Sequence, residues 1–162
     1  MRILGIDPGA KPGYCLIDDA ARVPRRYFKA PPLPVVIGVW AQCPVLPAGS
    51  VDRIAVELQW IKGPRKATRI LTLAFTAGWQ LARAQAALGG EPHALLVDEW
   101  RAALRTRGAR KGVLSKRCEA SLLPAEAALF PSVSPERRVD LYESIMIAWA
   151  CWLAPKPWRI KP

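Results

Sequence analysis

The sequence predicts an α/β domain in which a mixed β-sheet is flanked by helices, and three observations carry that expectation. Apolar runs of strand length come early, at Ile3-Leu4-Gly5-Ile6 and Ile54-Ala55-Val56. Helical periodicity dominates from about residue 65 onward. A further strand-like run, His93 to Val97, interrupts the helices, so strands and helices alternate in the second half. With 162 residues, 51 % of them apolar, the chain suffices for one core. Residues 1–155 are read as a single domain and 156–162 as a basic tail carrying Lys156, Arg159 and Lys161. Repeats and low-complexity tracts are absent from the sequence.

Element by element, residues 2–7 form a first strand, buried on both faces because its apolar residues do not alternate with polar ones. Gly13 to Ile17 form a second, and Gly9, Pro12 and Gly13 suit the hairpin between them. Arg26 to Lys29 are read as a third. Prolines 31, 32, 34, 44 and 47 punctuate the stretch after it, leaving room for at most a short helix between Pro34 and Pro44. Residues 53–58 are the next strand. A long helix then runs from about Arg65 to Leu88, with Ile70, Leu73, Ala74, Ala77, Gly78 and Leu81 on one stripe. Leu71, Phe75, Trp79 and Ala82 add a second stripe, so the apolar surface spans roughly 240°. Such a helix is either central to the core or a dimer surface. Gly89-Gly90 caps it. After the strand at His93–Val97, Asp98 is expected to cap a short helix through Leu104. Gly108 breaks the chain, another helix spans Val113 to Leu122, and a last one runs from Pro135 to Leu153, closed by Pro155.

The charge balance is lopsided: 24 Lys and Arg against 13 Asp and Glu, a net of +11. That points to a polyanionic partner. The basic residues also cluster without acids between them, at Arg22/Arg25/Arg26/Lys29, at Lys62/Arg65/Lys66/Arg69, and in a run of seven from Arg101 to Arg117. A solvated helix face ordinarily mixes signs to gain i,i+4 pairs, so these groups read as phosphate contacts. Cys15, Cys43, Cys118 and Cys151 are scattered, and His93 has no partner in sequence, which argues against zinc and against a disulfide framework. Reduced thiols fit a cytoplasmic protein. No signal peptide is read before the first strand. The most apolar helix, Ile145 to Leu153, is about half the length a bilayer requires.

Chemistry is concentrated in four acids. Asp7 ends the first strand and leads into Pro8-Gly9; Glu57 ends the run Ile54-Ala55-Val56; Asp140 and Glu143 lie at i and i+3 on an otherwise apolar helix. Carboxylates at the ends of core strands stand where ligands meet an open α/β sheet. Gathered together they would repel and have raised pKa values unless a cation neutralised them. With oxygen donors alone, the fitting ions are magnesium or manganese. Such a centre beside a basic surface points to phosphodiester chemistry.

In these features the chain resembles the RuvC-type Holliday junction resolvases of the ribonuclease H-like superfamily. The matching features are Ile3-Leu4-Gly5-Ile6-Asp7-Pro8-Gly9, the Val56-Glu57 strand end before a long helix rich in small residues, and Asp140-x-x-Glu143 in a final apolar helix. The resemblance implies a ribonuclease H-like mixed sheet and a homodimer that nicks two strands of a four-way DNA junction symmetrically. It also implies two Mg2+ ions per site, with Mn2+ as a substitute, held by Asp7, Glu57, Asp140 and Glu143. At the fourth position the family more often has aspartate. Trp60 falls where such enzymes carry an aromatic that stacks on an unpaired base, and Lys111 and Lys116 where lysines approach the scissile phosphate. Which of Arg110, Lys111, Lys116 or Arg117 does so stays open. The DNA-contact set is then Trp60, Lys62, Arg65, Lys66, Arg69, Arg105, Arg107, Arg110, Lys111, Lys116 and Arg117. A soluble protein of a bacterial or phage-infected cytoplasm is expected, with no membrane partner and no small-molecule cofactor.

Other readings compete. Actin-like ATPases and sugar kinases also open on Asp-x-Gly, but they repeat the motif in a second half that this sequence lacks. YqgF-type proteins of RNA processing share the superfamily, and Leu96-Val97-Asp98-Glu99 is similar to a segment of theirs; a general branched-DNA nuclease is related. A non-catalytic basic binding protein predicts that the four acids are scattered in the fold.

Overall fold

In the computed structural model, which describes residues 1–9, 11–58 and 67–155, five strands form one mixed sheet. They are β1 (Arg2–Asp7), β2 (Gly13–Val23), β3 (Leu33–Trp40), β4 (Arg53–Leu58) and β5 (Glu91–Leu96). The helices are α1 (Ala67–Leu88), α2 (Val97–Ala103), α3 (Lys111–Glu119), α4 (Pro124–Ala127) and α5 (Pro135–Leu153). The sheet order is β3-β2-β1-β4-β5, with β1–β2–β3 an antiparallel meander and β1, β4 and β5 parallel.

Side chains alternate across the central strands. Leu4 and Ile6 of β1, with Ile54 and Val56 of β4, pack against Ala77, Leu81, Ala84 and Leu88 of α1. On the opposite face Ile3 and Ala55 join Trp100, Leu114 and the buried length of α5. By the same alternation Gly5, Asp7 and Glu57 face α5. Two glycines make that packing close. A methyl group at Gly5 would collide with the Ser144 carbonyl and Ala148, and one at Gly13 would meet the Asp140 carbonyl. The glycine-rich start of the chain therefore lets the middle of α5, from Asp140 to Ala148, lie directly on β1 and β2.

Several local expectations are corrected. The proline-rich stretch holds no helix; Leu33–Trp40 is the edge strand β3. An edge tolerates Pro34, whose missing N–H leaves no bond within the sheet unmade, and Val35, Val36 and Ile37 favour extended backbone. The other edge, β5, likewise carries Pro92. Arg26–Lys29 is not a strand: the Phe28 amide bonds to the Arg25 carbonyl in a turn, while β2 itself extends to Val23. The N-cap of α2 is Leu96 rather than Asp98, which sits in the first turn. Helix α3 begins at Lys111 and ends at Glu119, after which Ser121 and Leu122 close turns onto Cys118 and Glu119. The short α4 carries no sequence signal beyond Pro124.

Arg25 also departs from expectation. It is no phosphate contact: its side chain is buried, paired with Glu126 at 2.5 Å and stacked 4.8 Å over Trp149. On α1 the two stripes separate. Ala77 and Leu81 are buried, but Leu71, Phe75 and Trp79 are 60 %, 76 % and 51 % exposed, so the helix is not enclosed by this chain's core. Among the described residues no helix is long and apolar enough to cross a membrane.

Candidate metal centre

Asp7 and Glu57 come together because their strands do. Strands β1 and β4 pair in parallel through Gly5↔Ala55 and Ile6↔Val56, so the next residues of each stand side by side at the carboxyl ends. Both project toward α5, whose second and third turns present Asp140 and Glu143 three residues apart on one face. Among the described residues, Asp7, Asp140 and Glu143 offer carboxylate oxygens that all lie within 4.8 Å of one another. Glu57 stands outside that set, with one oxygen accepting the Trp100 indole N–H at 2.8 Å. Three of the four acids are thus gathered, and the charge of Glu57 also acts on Asp7.

Electrostatics reflect the crowding. Burial, together with the charges of Glu143 and Glu57, holds the Asp7 carboxyl well above its ordinary range, and Lys111 only partly offsets this. Burial and the Glu143 charge push Glu57 up to about 7 against the opposing Trp100 hydrogen bond and the charges of Lys111 and Arg101. Removal from water opposes the charge on Lys111, yet the surrounding carboxylates, Glu143 foremost, raise its pKa. Its Nζ lies 2.6 Å from Glu143 and 3.7 Å from Asp140. Arg137 is 3.2 Å from Asp140 and donates to the carbonyls of Pro12 and, at 2.7 Å, Ala41. It thereby fastens the β1–β2 turn and the end of β3 to α5.

Of the expected phosphate contacts, Lys111 reaches the carboxylates at the N-terminus of α3. Lys116 does not: five residues on, it is turned about 140° around the helix and is exposed. Arg105, Arg107 and Arg110 are exposed in the connection leading to α3, and Arg117 is half-buried. The basic run therefore borders the acids through Lys111. Trp60, Lys62, Arg65 and Lys66 lie outside the described residues, as does the 156–162 tail; Arg69 lies in the first turn of α1. Two residues at the site were not singled out from sequence, Trp100 and Arg137. Arg137 was findable, standing at i−3 to Asp140; nothing marks Trp100 among seven tryptophans.

The donor set of Asp7, Asp140 and Glu143 suits a hard divalent cation, since it consists of carboxylate oxygens alone. No protein-family model matches the sequence, and no curated protein matches it. Solved structures do. A Thermus thermophilus RuvC structure aligns with 98 % of this chain and 100 % of its own, at TM-score 0.57 and 18 % identity. T. thermophilus RuvC in complex with a Holliday junction substrate aligns at TM-score 0.57 and 19 % identity, over 98 % of this chain and 99 % of its own. Together with the five-stranded mixed sheet flanked by helices, these alignments establish that the chain has the ribonuclease H-like fold of RuvC.

Proposed function

We propose that the protein is a RuvC-type, metal-dependent endonuclease that cleaves four-way DNA junctions. The observation that carries this reading is the convergence of Asp7, Asp140 and Glu143 where Lys111 joins the basic run to the acids. That the fold is shared with a protein solved on a Holliday junction supports the choice of substrate. Asp7, Asp140, Glu143 and Glu57 would hold two Mg2+ ions, with Mn2+ as a substitute. Bound there, the metal would supply activation of a water nucleophile and stabilisation of the leaving oxygen.

The chain's own residues do the rest. Asp7 and Glu57, fixed on neighbouring strands, set the spacing of the carboxylates. Among the described residues Lys111 is the cation nearest the acids, and it stands ready to meet a phosphate oxygen once the carboxylates have another partner. Arg105, Arg107 and Arg110, with Lys62, Arg65, Lys66 and Arg69, would bind the DNA backbone, a contact that weakens with salt. Trp60 would stack on an unpaired base at the junction centre.

The test is electrophoresis of labelled four-way junctions with Mg2+, beside duplex, single-strand and RNA controls. Two nicks in opposed strands of the junction are expected, with Asp7→Asn binding the junction but leaving it intact. Robust cleavage by Asp7→Asn, or in excess chelator, would remove the metal-centred reading; preference for the RNA would move it to the RNA-processing branch.

Symmetric nicking needs two sites related by a two-fold axis. We assign the dimer surface to the exposed Leu71, Phe75 and Trp79 stripe of α1. Sedimentation should give a dimer at micromolar concentration and a monomer for Trp79→Glu. A wild-type monomer would sink the homodimer, and a dimeric variant would sink this surface.

A further inference from the structure

We propose that Trp100 is a positioning residue for the metal centre: its indole N–H fixes the Glu57 carboxylate from the α2 side. The inference rests on the nuclease reading above and concerns a residue outside the acid set.

Glu57 is a buried acid at the end of β4, and the Trp100 Nε1 donates to its Oε2 at 2.8 Å. The donor is itself fully buried, between α2 and the sheet. An indole N–H can only donate and carries no charge. It therefore orients a carboxylate oxygen without competing with a cation for it. The contrast is with Lys111, whose ammonium lies 2.6 Å from Glu143 and would be repelled by an arriving metal. Metal entry leaves the Trp100 bond electrostatically unopposed.

The frame that places the ring is short and stiff. Strand β5 pairs with β4 through Glu57↔Leu95 and Leu58↔Leu96, and α2 begins at Val97 without an intervening loop. The Leu96 amide is held by the Glu99 carboxylate at 2.9 Å, closing the first turn of α2. Trp100 thus stands one helical turn beyond Leu96, the neighbour of the Leu95 that registers against Glu57. The Arg101 guanidinium lies 5.2 Å from the ring centre and covers one of its faces. Partners of this kind, bonded to a ligand rather than to the metal, typically shift metal affinity by about 10–100-fold when removed.

Trp100→Phe keeps a ring in place and removes the N–H. Mn2+ binding, followed by electron paramagnetic resonance on wild type, Trp100→Phe, Glu57→Gln and the double variant, tests the role. Trp100→Phe should weaken Mn2+ by about tenfold or more, yet cause no further loss in the Glu57→Gln background, because the two residues act through one bond. Equal losses in both backgrounds, or no loss in either, would overturn the positioning role while leaving the nuclease reading intact. Failure of the wild type to bind Mn2+ would overturn both. If Trp100→Phe does not fold, the indole N–H resonances serve instead. The one displaced by Glu57→Gln belongs to Trp100, and in the wild type Mg2+ must shift that same signal. A signal indifferent to Mg2+ overturns the proposal.

Discussion

Among the described residues two places bury carboxylates, and they solve the same electrostatic problem in opposite ways. At the Arg25–Glu126 pair, both Glu126 oxygens are bonded to the guanidinium, at 2.5 and 2.7 Å. The amides of Val36 and Leu123 add bonds at 2.8 and 2.7 Å. Arg25 also donates to the carbonyls of Ser121 and Pro34. Burial works against the Glu126 charge, but these donors outweigh it and hold the carboxyl below its ordinary value. At the strand ends, Asp7 and Glu57 are displaced upward by burial and by one another's neighbours. A buried acid whose donors are complete is architecture. A group of buried acids that raise one another's pKa is suited to hold a cation.

The sharpest way to break that contrast is to remove the cation that the first region does supply. Arg25→Met should destabilise the protein by about 3–5 kcal/mol, because it strands a buried carboxylate. Adding Glu126→Leu should recover much of the loss, since the pair as a whole is worth far less than its breakage costs. Urea unfolding of the single and double variants checks this, and equal losses would mean that Glu126 is not the group left stranded.

Metal addition probes the other region. Mg2+ at 100 times its Kd should raise wild-type stability by about 2.7 kcal/mol, measured as a rise in Tm. The gain should shrink for Glu143→Gln and persist undiminished in Glu126→Gln. A Tm insensitive to Mg2+ would place the acids in the same structural class as Glu126.

Acid titration gives the smallest effect and has a defined sign. The Glu126 carboxyl is depressed from 4.5, so its stabilisation is complete above that value and is lost as pH falls through the lower folded-state value. Wild type should therefore lose Tm more steeply below pH 4.5 than Glu126→Gln does. Parallel acid limbs would show that the Arg25 pair contributes no pH dependence.

The same contrast explains what could be read from sequence. Asp7 and Glu57 were legible because each closes an apolar run, and strand ends in a parallel pair must be neighbours. Asp140 and Glu143 were legible because acids on a helix apolar nearly all round need a reason. Helix α1 and helix α5 were legible from periodicity and from Gly89 and Pro135. Arg25 was misread because a buried guanidinium and a solvent-facing one look alike in sequence; what distinguishes them is Glu126, about a hundred positions away. Strand β3 was missed because proline counts against strands in general, and only its place at the sheet margin makes it acceptable. Trp100 and Glu57 are likewise joined by a contact across 43 positions that no local pattern announces.

Prolines at both margins of the sheet have a consequence for self-association. Pro34 in β3 and Pro92 in β5 each take one donor out of the outermost rows of backbone N–H groups. A strand offered by another chain would find a gap in the ladder on either side, and runaway sheet extension into fibres is blocked where bare edges invite it. Copies of this protein are thus steered away from joining edge to edge, which leaves the homodimer proposed above to a helix face rather than to a shared sheet.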